Sequence, residues 1–375
     1  MGEQNNPPVH SAALEPLYSE FSVSSLKLRN RFVMAPMTRE SSPRGIPTHD
    51  NVEYYRKRAA GGVGMIITEG TLVRAPAAGS SASMPHMYGK DSAVGWRSVV
   101  EAVHGEDAAI VSQLMHMGVM RGGEPEFEPD VPTVGPSGIG VDGEPLGRAL
   151  TRADMDAIKD AYVESAKLAS DLGFDGVEIH GGHGMVLDTF IWEQTNRRED
   201  EYGGTLRNRV RFPMEAVSAV REALGPGFPI IYRFSQWKVG QYDAAVASTP
   251  AELEQILCPL ADAGVDMFHL STRRHWLPAF PSENSADQHM GLSGWAKKIT
   301  GLPAIMVGSV AVDHPFVGDD PADDQDRDEK LRLVVEKFER DEFDLLALGR
   351  PLLADPEWVN KTRTGKTDQI VHFKK

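Results

Sequence analysis

The sequence predicts an α/β protein, a (β/α)8 TIM barrel that carries two insertions. Short apolar runs alternate with helical stretches about eight times along the 375 residues. The runs are almost continuously apolar and end in polar residues or glycine, which is typical of parallel strands buried on both faces. A doubly wound sheet would also alternate strands and helices, but it would not place functional residues at the ends of all its strands.

The eight predicted strands follow one another without a break in composition. They cover residues 31–37, 63–71, 108–115, 176–181, 229–235, 267–272, 304–310 and 345–350. The helix predicted over residues 151–173 has the clearest ends, because Thr151 and an acidic residue three positions later suit a capping box and Gly173 stops the pattern. We therefore expect one domain over residues 1–375, with a flexible N-terminal segment of roughly residues 1–14.

Two segments exceed a minimal barrel. Residues 116–150 follow the third strand and are rich in glycine and proline, so they are predicted to form a cap over the barrel mouth. Residues 313–330 follow the seventh strand and are strongly acidic. Such a run can bind a cation, but a solvated loop that leads into the next helix is the favoured interpretation.

The composition excludes several classes of function. The formal net charge is −15, and this acidity disfavours nucleic acid and anionic membranes as partners. The single cysteine, Cys258, rules out an intrachain disulfide, a thiolate zinc site and an iron–sulfur cluster. The sequence shows neither an apolar run of about 18 residues nor an apolar signal core at its N terminus, and we expect a cytoplasmic protein.

Polar residues and glycines mark the ends of the predicted strands, where a barrel of this kind carries its active site. The ends of strands seven and eight form the usual phosphate site of such barrels, in which backbone N–H groups and an arginine meet an anion. Gly308, Ser309, Gly349 and Arg350 suit that role. The other strand ends present Ala35, Pro36, Met37, Thr38, Glu69, Gly70, Gln113, His180, His183 and Arg233.

His180 and His183 lie three residues apart after the fourth strand. Imidazoles at this spacing can share a metal ion, but a catalytic metal needs a third protein ligand, and no nearby motif offers one. Packing is a second interpretation. The third is a pair of hydrogen-bond donors for a substrate oxygen.

A series of ordered motifs runs along nearly the whole chain, and TNRREDEYGG (195–204) is the most specific of them. The others are NRFVMAPMTR (30–39), ITEGT (67–71), SQLMHMG (112–118), HGGHGMVLDTF (180–190), RNR (207–209), RFS (233–235), VGS (307–309) and ALGRPLLADP (347–356). Through these motifs the chain resembles the old yellow enzymes, FMN-dependent ene-reductases. The two insertions are covered least.

This resemblance implies non-covalently bound FMN as cofactor and NAD(P)H as reductant. Thr38 would donate to the flavin C4 carbonyl, Gln113 would bond the pyrimidine edge, and Arg233 would stabilise charge near N1 and the C2 carbonyl. Ala35, Pro36, Met37 and Gly70 would line the cofactor. Each residue also has a plain structural interpretation: a helix cap for Thr38, a buried core amide for Gln113, an ion pair for Arg233.

For the histidines, the resemblance implies that His180 and His183 together bind the oxygen of a ligand stacked on the flavin and polarise it for hydride transfer. Met185 departs from the family pattern, since many relatives carry a proton-donating tyrosine there and a thioether has no proton to give. Met115 stands where some relatives have tryptophan. In the loop 271–287, His275 or Trp276 could face the substrate, although a solvated loop is an equal alternative.

The predicted function is therefore NAD(P)H-dependent reduction of an α,β-unsaturated carbonyl compound by an FMN enzyme. Desaturation, or reduction of quinones or nitro compounds, needs no acid at position 185 and is the close alternative. A metal-dependent hydrolase using the two histidines, and a flavin-binding barrel without turnover, are remote alternatives. Members of the family are often homo-oligomers, but no interface can be predicted from this sequence.

Overall fold

The computed structural model of the chain describes residues 11–281, 287–313 and 326–374. In this part of the chain, eight parallel strands form a closed barrel. The strands are β1 (Phe32–Met34), β2 (Met65–Ile67), β3 (Ala109–Met115), β4 (Gly176–His180), β5 (Ile230–Ser235), β6 (Met267–Ser271), β7 (Ala304–Val307) and β8 (Leu345–Leu348). Their order around the barrel is β2-β1-β8-β7-β6-β5-β4-β3, and β3 pairs with β2 to close it. Each predicted run contains one of these strands, and the predicted barrel is confirmed.

Helices surround the barrel and connect its strands. They are α1 (His49–Ala60), α2 (Lys90–His104), α3 (Arg152–Asp171), α4 (Val186–Ile191), α5 (Leu206–Arg209), α6 (Arg211–Leu224), α7 (Pro250–Asp262), α8 (Leu292–Thr300), α9 (Arg327–Glu339), α10 (Arg350–Ala354) and α11 (Trp358–Arg363). Helix α3 begins as predicted, because Thr151 Oγ1 accepts from Asp154 N at 3.2 Å while the Asp154 carboxylate accepts from Thr151 N at 2.8 Å. The main core lies between the strands and these helices.

One end of the barrel is closed by a hairpin that precedes β1. Its antiparallel strands are Phe21–Val23 and Leu26–Leu28, and Leu26 and Leu28 are buried in the cluster that fills the barrel interior. Ser11–Tyr18 form a 3₁₀ helix in which Leu14 is buried. The flexibility expected for roughly residues 1–14 stays a prediction. Residues 1–10 lie outside the described part of the chain. The carboxyl ends of the strands form the open mouth.

The segment 116–150 follows β3 as predicted, with a 3₁₀ turn at Gly118–Arg121 and two short paired strands, Val134–Gly135 and Arg148–Ala149. It packs on the chain that follows α4: Gln194 Nε2 donates to Val141 O at 2.9 Å, and Arg198 Nη1 donates to Leu150 O at 2.7 Å. It contributes no side chain to the wall of the mouth cavity described below. Its role as a cap stays a prediction.

The acidic insertion was predicted over residues 313–330, and residues 314–325 of it lie outside the described part of the chain. Its C-terminal end does lead into a helix, as expected for a connecting loop. Asp326 caps α9, and its Oδ1 accepts from the backbone N–H groups of Asp328 and Glu329.

Candidate active site

A cavity of about 470 Å³ lies at the carboxyl ends of the barrel strands. All of the predicted site residues except Gly70 and Trp276 line it. Those that line it are Ala35, Pro36, Met37, Thr38, Gln113, Met115, His180, His183, Met185, Arg233, Gly308, Ser309, Gly349 and Arg350. Trp237, Ser271 and Thr272 line the same cavity and were not predicted.

The pairing of neighbouring strands explains why the polar residues meet. Gln113 on β3 is paired with Glu178 on β4, and Arg233 on β5 is paired with both His180 on β4 and His269 on β6. Side chains alternate between the two faces of a strand, so residues two apart project to the same side. Glu178 and His180 therefore both point into the barrel, one layer above the other.

Glu178 organises the buried base of the cavity. Its Oε1 accepts from Gln113 Nε2 at 2.7 Å and its Oε2 accepts from His269 Nδ1 at 2.6 Å. His269 Nε2 is then free to accept from Arg233 Nη1 at 3.4 Å, and Arg233 Nη2 donates to Ser271 Oγ at 3.2 Å. The guanidinium also lies 3.9 Å from Glu178 Oε1, so the charge of Arg233 is compensated from below.

This network fixes the charge states at the base of the cavity. Burial opposes ionisation of Glu178, but the hydrogen bond from His269, the charge of Arg233 and the hydrogen bond from Gln113 hold its pKa below the usual value. Burial, followed by the charge of Arg233, lowers the pKa of His269, and that imidazole acts as a neutral donor. Arg233 is only 6% exposed, and its Nε has no hydrogen-bond partner among the described residues. A donor buried in this way calls for an acceptor supplied by a bound ligand.

The two histidines form a directed chain of hydrogen bonds. Gly182 N–H donates to His180 Nδ1 at 3.4 Å, so the proton of His180 resides on Nε2. That Nε2–H faces His183 Nδ1 at 3.3 Å, and His183 Nε2–H in turn donates to Ser271 Oγ at 2.8 Å. Both rings therefore carry their proton on Nε2, and both are donors.

Burial keeps the pair neutral. It lowers the pKa of His180 to about 3, with the nearby charge of Arg233 acting in the same direction. The pKa of His183 is lowered well below its ordinary value, by burial first and then by the charge of Arg233. At neutral pH the pair can donate hydrogen bonds to a ligand oxygen without carrying charge.

The backbone around His183 adopts a conformation that few residues share. His183 has φ +62° and Gly184 has φ +89°, both in the left-handed region that costs a non-glycine residue about 1 kcal/mol or more. The turn is held by Ser235 at the end of β5, whose Oγ accepts from His183 N at 2.8 Å. The glycines of HGGHG therefore serve a tight turn that delivers His183 to the cavity.

Methionines form one wall of the cavity. Met115 and Met185 are 3% and 8% exposed and pack with Leu72, Ala78 and Met84. Thioethers adapt to flat ring surfaces and carry no transferable proton. The wall can accommodate a planar ligand, and position 185 supplies no acid.

Most of the chain matches the sequence model of one protein family. The model of the NADH:flavin oxidoreductase / NADH oxidase family matches residues 16–369. The chain belongs to this family. The predicted relationship to the old yellow enzymes is confirmed, and the family also confirms FMN as cofactor and a reduced nicotinamide nucleotide as its reductant.

Relatives of the family resemble the chain over different lengths. NADH oxidase of Thermoanaerobacter brockii is 32% identical over 361 residues, which is 94% of this chain and 52% of the relative. 12-Oxophytodienoate reductase 7 of Oryza sativa subsp. japonica is 36% identical over 222 residues, which is 56% of each chain. The chain thus spans about half the length of these curated relatives.

Solved structures in the family share the fold. Morphinone reductase in complex with tetrahydroNAD superposes with a TM-score of 0.75 at 27% identity, covering 96% of this chain and 91% of that chain. Old Yellow Enzyme from Pichia sp. AKU4542 superposes with a TM-score of 0.78 at 23% identity, over 96% of this chain and 89% of that chain. The second likeness concerns the fold alone.

The end of the cavity that was predicted to bind phosphate has a lining that fits the cofactor of this family. Gly308 has φ +157° and Ser309 has φ +49°, so the chain turns sharply after β7. A Cβ at Gly308 would lie 2.3 Å from Thr272 Oγ1, which restricts this position to glycine. Arg350 Nη2 reaches across to Ser309 Oγ at 3.1 Å. With the unpartnered Nε of Arg233 at the other end, the lining suits a flavin ring joined to a phosphate.

Two predicted residues lie away from the cavity. Trp276 does not line it; its ring packs under Lys330 Nζ of α9 at 4.9 Å, in the loop whose orientation the sequence did not determine. Gly70 lies behind Met115, which lines the cavity, and a Cβ at Gly70 would be 2.8 Å from Met115 Cε. His275 is buried and does not line the cavity, so it is not in place to act as the acid.

The structure adds residues that the motifs did not single out. Trp237 lies with its ring 4.4 Å from that of His183, and its Nε1 donates to Ser271 O at 3.2 Å. Glu178 and His269 could have been found from the sequence: they are ionisable residues inside apolar strands, spaced two residues from His180 and Ser271. Nothing in the sequence of the loop after β5 distinguishes Trp237.

No group of three or more His, Cys, Asp or Glu side chains in the described ranges could hold a metal ion. No described helix is both long and apolar enough to cross a bilayer.

Proposed function

We propose that the chain is an FMN-dependent oxidoreductase that uses NAD(P)H to reduce the activated C=C bond of an α,β-unsaturated carbonyl compound. When bound, FMN supplies the hydride chemistry: it takes hydride from the nicotinamide and passes it to an electron-poor carbon. The proposal is carried by one observation, that two neutral, buried imidazoles share a cavity with a charge-compensated arginine.

His180 and His183 would bind the carbonyl oxygen of the substrate. Each carries its ring proton on Nε2, and the substrate oxygen would replace His183 Nδ1 and Ser271 Oγ as the acceptors of these protons. Each ring is nine-tenths buried, so a hydrogen bond from either is worth more than in water. As hydride reaches the β-carbon, negative charge develops on this oxygen. Donors fixed in advance stabilise that charge without the cost of reorganising solvent.

The remaining lining would hold the cofactor. Arg233 and Gln113, both held by the Glu178 network, would bind the pyrimidine part of the flavin, and Thr38 would donate to its C4 carbonyl. Gly308, Ser309, Gly349 and Arg350 would bind the phosphate. The positive charge of Arg233 favours the reduced, anionic cofactor, while Glu178 limits that preference.

The proton that completes the reduction cannot come from Met185. His180 and His183 are poor acids for this purpose, because a neutral imidazole gives up its proton only at very high pH. We propose that water reaching the cavity supplies the proton.

A second candidate function follows from the same methionine. Quinones and nitro compounds take their protons on oxygen or nitrogen, from solvent, and need no acid placed above a carbon atom. Met185, 8% exposed within an apolar wall, therefore favours these acceptors, and desaturation as well, more than a tyrosine would. The ratio of kcat/KM for menadione to that for 2-cyclohexenone measures which acceptor class is preferred.

The experiment that tests the proposal is anaerobic turnover of the FMN-loaded protein with NADH or NADPH and 2-cyclohexenone. The His180→Ala variant should lose about 100-fold in kcat, the loss typical for removal of one oxyanion donor. Reduction of the bound flavin by dithionite should be unchanged. A colourless protein with stoichiometric metal would instead indicate a hydrolase. A yellow protein that only oxygen reoxidises would indicate a flavin-binding barrel without turnover.

A further inference from the structure

A fully buried ion pair lies behind the histidine turn and has no part in the function proposed so far. Lys238, in the loop after β5, and Asp188, in α4, both have side chains that are 0% exposed. Lys238 Nζ donates to Asp188 Oδ1 at 2.9 Å. Neither side chain lines the cavity. A pair buried so completely is costly to desolvate, and its role has to be sought in what it positions.

Both members of the pair have further bonds that connect two loops. The three protons of the Lys238 ammonium face three acceptors, since Nζ also donates to Gln236 O at 3.1 Å and Ser235 O at 3.4 Å. The second oxygen of Asp188 accepts from Gly184 N at 2.6 Å. The ion pair therefore joins the loop after β5 to the turn that carries His183.

The same two segments are joined again through the backbone of His183. Its N–H donates to Ser235 Oγ at 2.8 Å, and its carbonyl accepts from Val239 N at 3.4 Å. The loop also brings the ring of Trp237 to 4.4 Å from the His183 ring. The backbone bonds of His183 and Gly184 thus end on Ser235, Val239 and the Asp188 carboxylate. Met185 N–H closes the turn itself by donating to Gly182 O at 3.1 Å.

We propose that Lys238 and Asp188 are positioning residues that hold the turn 183–185 so that His183 and His180 can bind one ligand oxygen. This inference rests on the proposed function. His183 and Gly184 both have positive φ, a conformation that persists only where the surroundings enforce it. Asp188 enforces it by accepting the Gly184 N–H, and Lys238 holds that carboxylate in place.

The test compares ligand affinity with cofactor affinity in the FMN-loaded protein. Lys238→Met should weaken the binding of p-hydroxybenzaldehyde, followed by its long-wavelength absorbance band, by about tenfold or more, the usual effect of losing a partner that orients a binding imidazole. Affinity for FMN should change by less than about threefold, since Arg233 and the phosphate end are untouched. KM for 2-cyclohexenone should rise more than kcat falls.

Two further variants keep the test decisive. Asp188→Asn combined with Lys238→Met leaves no buried charge and retains an oxygen for Gly184 N–H, so it should bind the phenol more tightly than Lys238→Met alone. Lys337→Met is the matched control, because it breaks another buried ion pair, with Glu342 at 2.7 Å, away from the cavity. It should lower stability and leave phenol affinity at the wild-type value.

Three results would overturn the inference. Lys238→Met could bind the phenol as wild type does, or it could lose FMN and phenol in equal measure, as a general loss of structure would cause. The double variant could bind no better than the single one. If the wild-type protein itself gave no band, the assignment of His180 and His183 in the proposed function would fail, and the inference with it.

Discussion

Replacing Glu178 by glutamine should destabilise the protein and make its flavin easier to reduce. The substitution keeps the shape of the side chain and removes the negative charge 3.9 Å from Arg233 Nη1. It also removes one of two acceptors, because an amide offers a single oxygen to Gln113 and His269, which donate at 2.7 and 2.6 Å.

The magnitude follows from the distance. Two unit charges 3.9 Å apart attract each other by about 4 kcal/mol at an effective dielectric constant of about 20. Part of this is offset, since the fully buried carboxylate no longer has to be desolvated. Loss of one member of a buried pair typically costs about 3–5 kcal/mol, and we expect a loss near 3 kcal/mol in the free energy of unfolding.

The same substitution, which destabilises the fold, should stabilise the reduced form of the flavin. With Glu178 neutral, the charge of Arg233 is uncompensated and stabilises the reduced, anionic cofactor. Each 1.4 kcal/mol of such stabilisation raises a two-electron midpoint potential by about 30 mV. A shift of about 30–60 mV is expected if about one-third to two-thirds of the roughly 4 kcal/mol acts on the flavin.

Urea unfolding and redox titration of the FMN-loaded protein measure the two effects. Glu342→Gln is the matched control, because it removes a buried carboxylate from Lys337 at 2.7 Å, far from the cavity lining. That control should lose comparable stability and keep the wild-type potential. An unchanged or lower potential in Glu178→Gln would refute the view that Glu178 compensates Arg233.

Three further predictions concern the acid, the cofactor and pH. Met185→Tyr should accelerate reoxidation of the reduced flavin by 2-cyclohexenone by up to about 100-fold in stopped-flow measurements; an unchanged rate would show that protonation at this position does not limit the reaction. Gly308→Ala should weaken FMN binding by at least tenfold in fluorescence titrations, since its Cβ would lie 2.3 Å from Thr272 Oγ1; wild-type affinity would contradict the assigned phosphate end. Burial lowers the pKa of His116 to about 4, below its unfolded value near 6.5. The unfolded chain therefore binds this proton more tightly, and the free energy of unfolding decreases as the pH falls below about 6.5. The decrease caused by this histidine is about 2 kcal/mol at pH 5. His116→Gln should therefore take up about one proton fewer on unfolding at pH 5, as the pH dependence of urea unfolding reports; an unchanged uptake would contradict this.

The barrel could be predicted because its signal is local. Each strand is a short apolar run that ends in a polar residue or glycine, and α3 has a capping box that needs only Thr151 and Asp154. The burial of Leu14 could not be predicted, because the 3₁₀ helix that carries it packs on helices distant in sequence. The packing of residues 116–150 depends in the same way on residues beyond position 184.

In the candidate site, too, residues with a local sequence signal could be predicted and residues placed by distant contacts could not. Residues at strand ends, such as Arg233 and His180, lie together because parallel strands bring their carboxyl ends to one mouth. Trp276 lies off the cavity wall and Trp237 lies on it, and both are in loops whose course no periodicity determines. The Lys238–Asp188 pair joins two loops and appears only when both are folded.

The central claim is that His180 and His183 bind one ligand oxygen above FMN, and a phenol titration tests it most directly. Visible spectra of the FMN-loaded protein would be recorded during addition of p-hydroxybenzaldehyde at several pH values from 5 to 8. We predict a new long-wavelength band, whose dependence on pH follows ionisation of the phenol, since the pKa of His180 lies near 3 and that of His183 well below its ordinary value. A flavin spectrum that phenol leaves unchanged would contradict the role of the histidines.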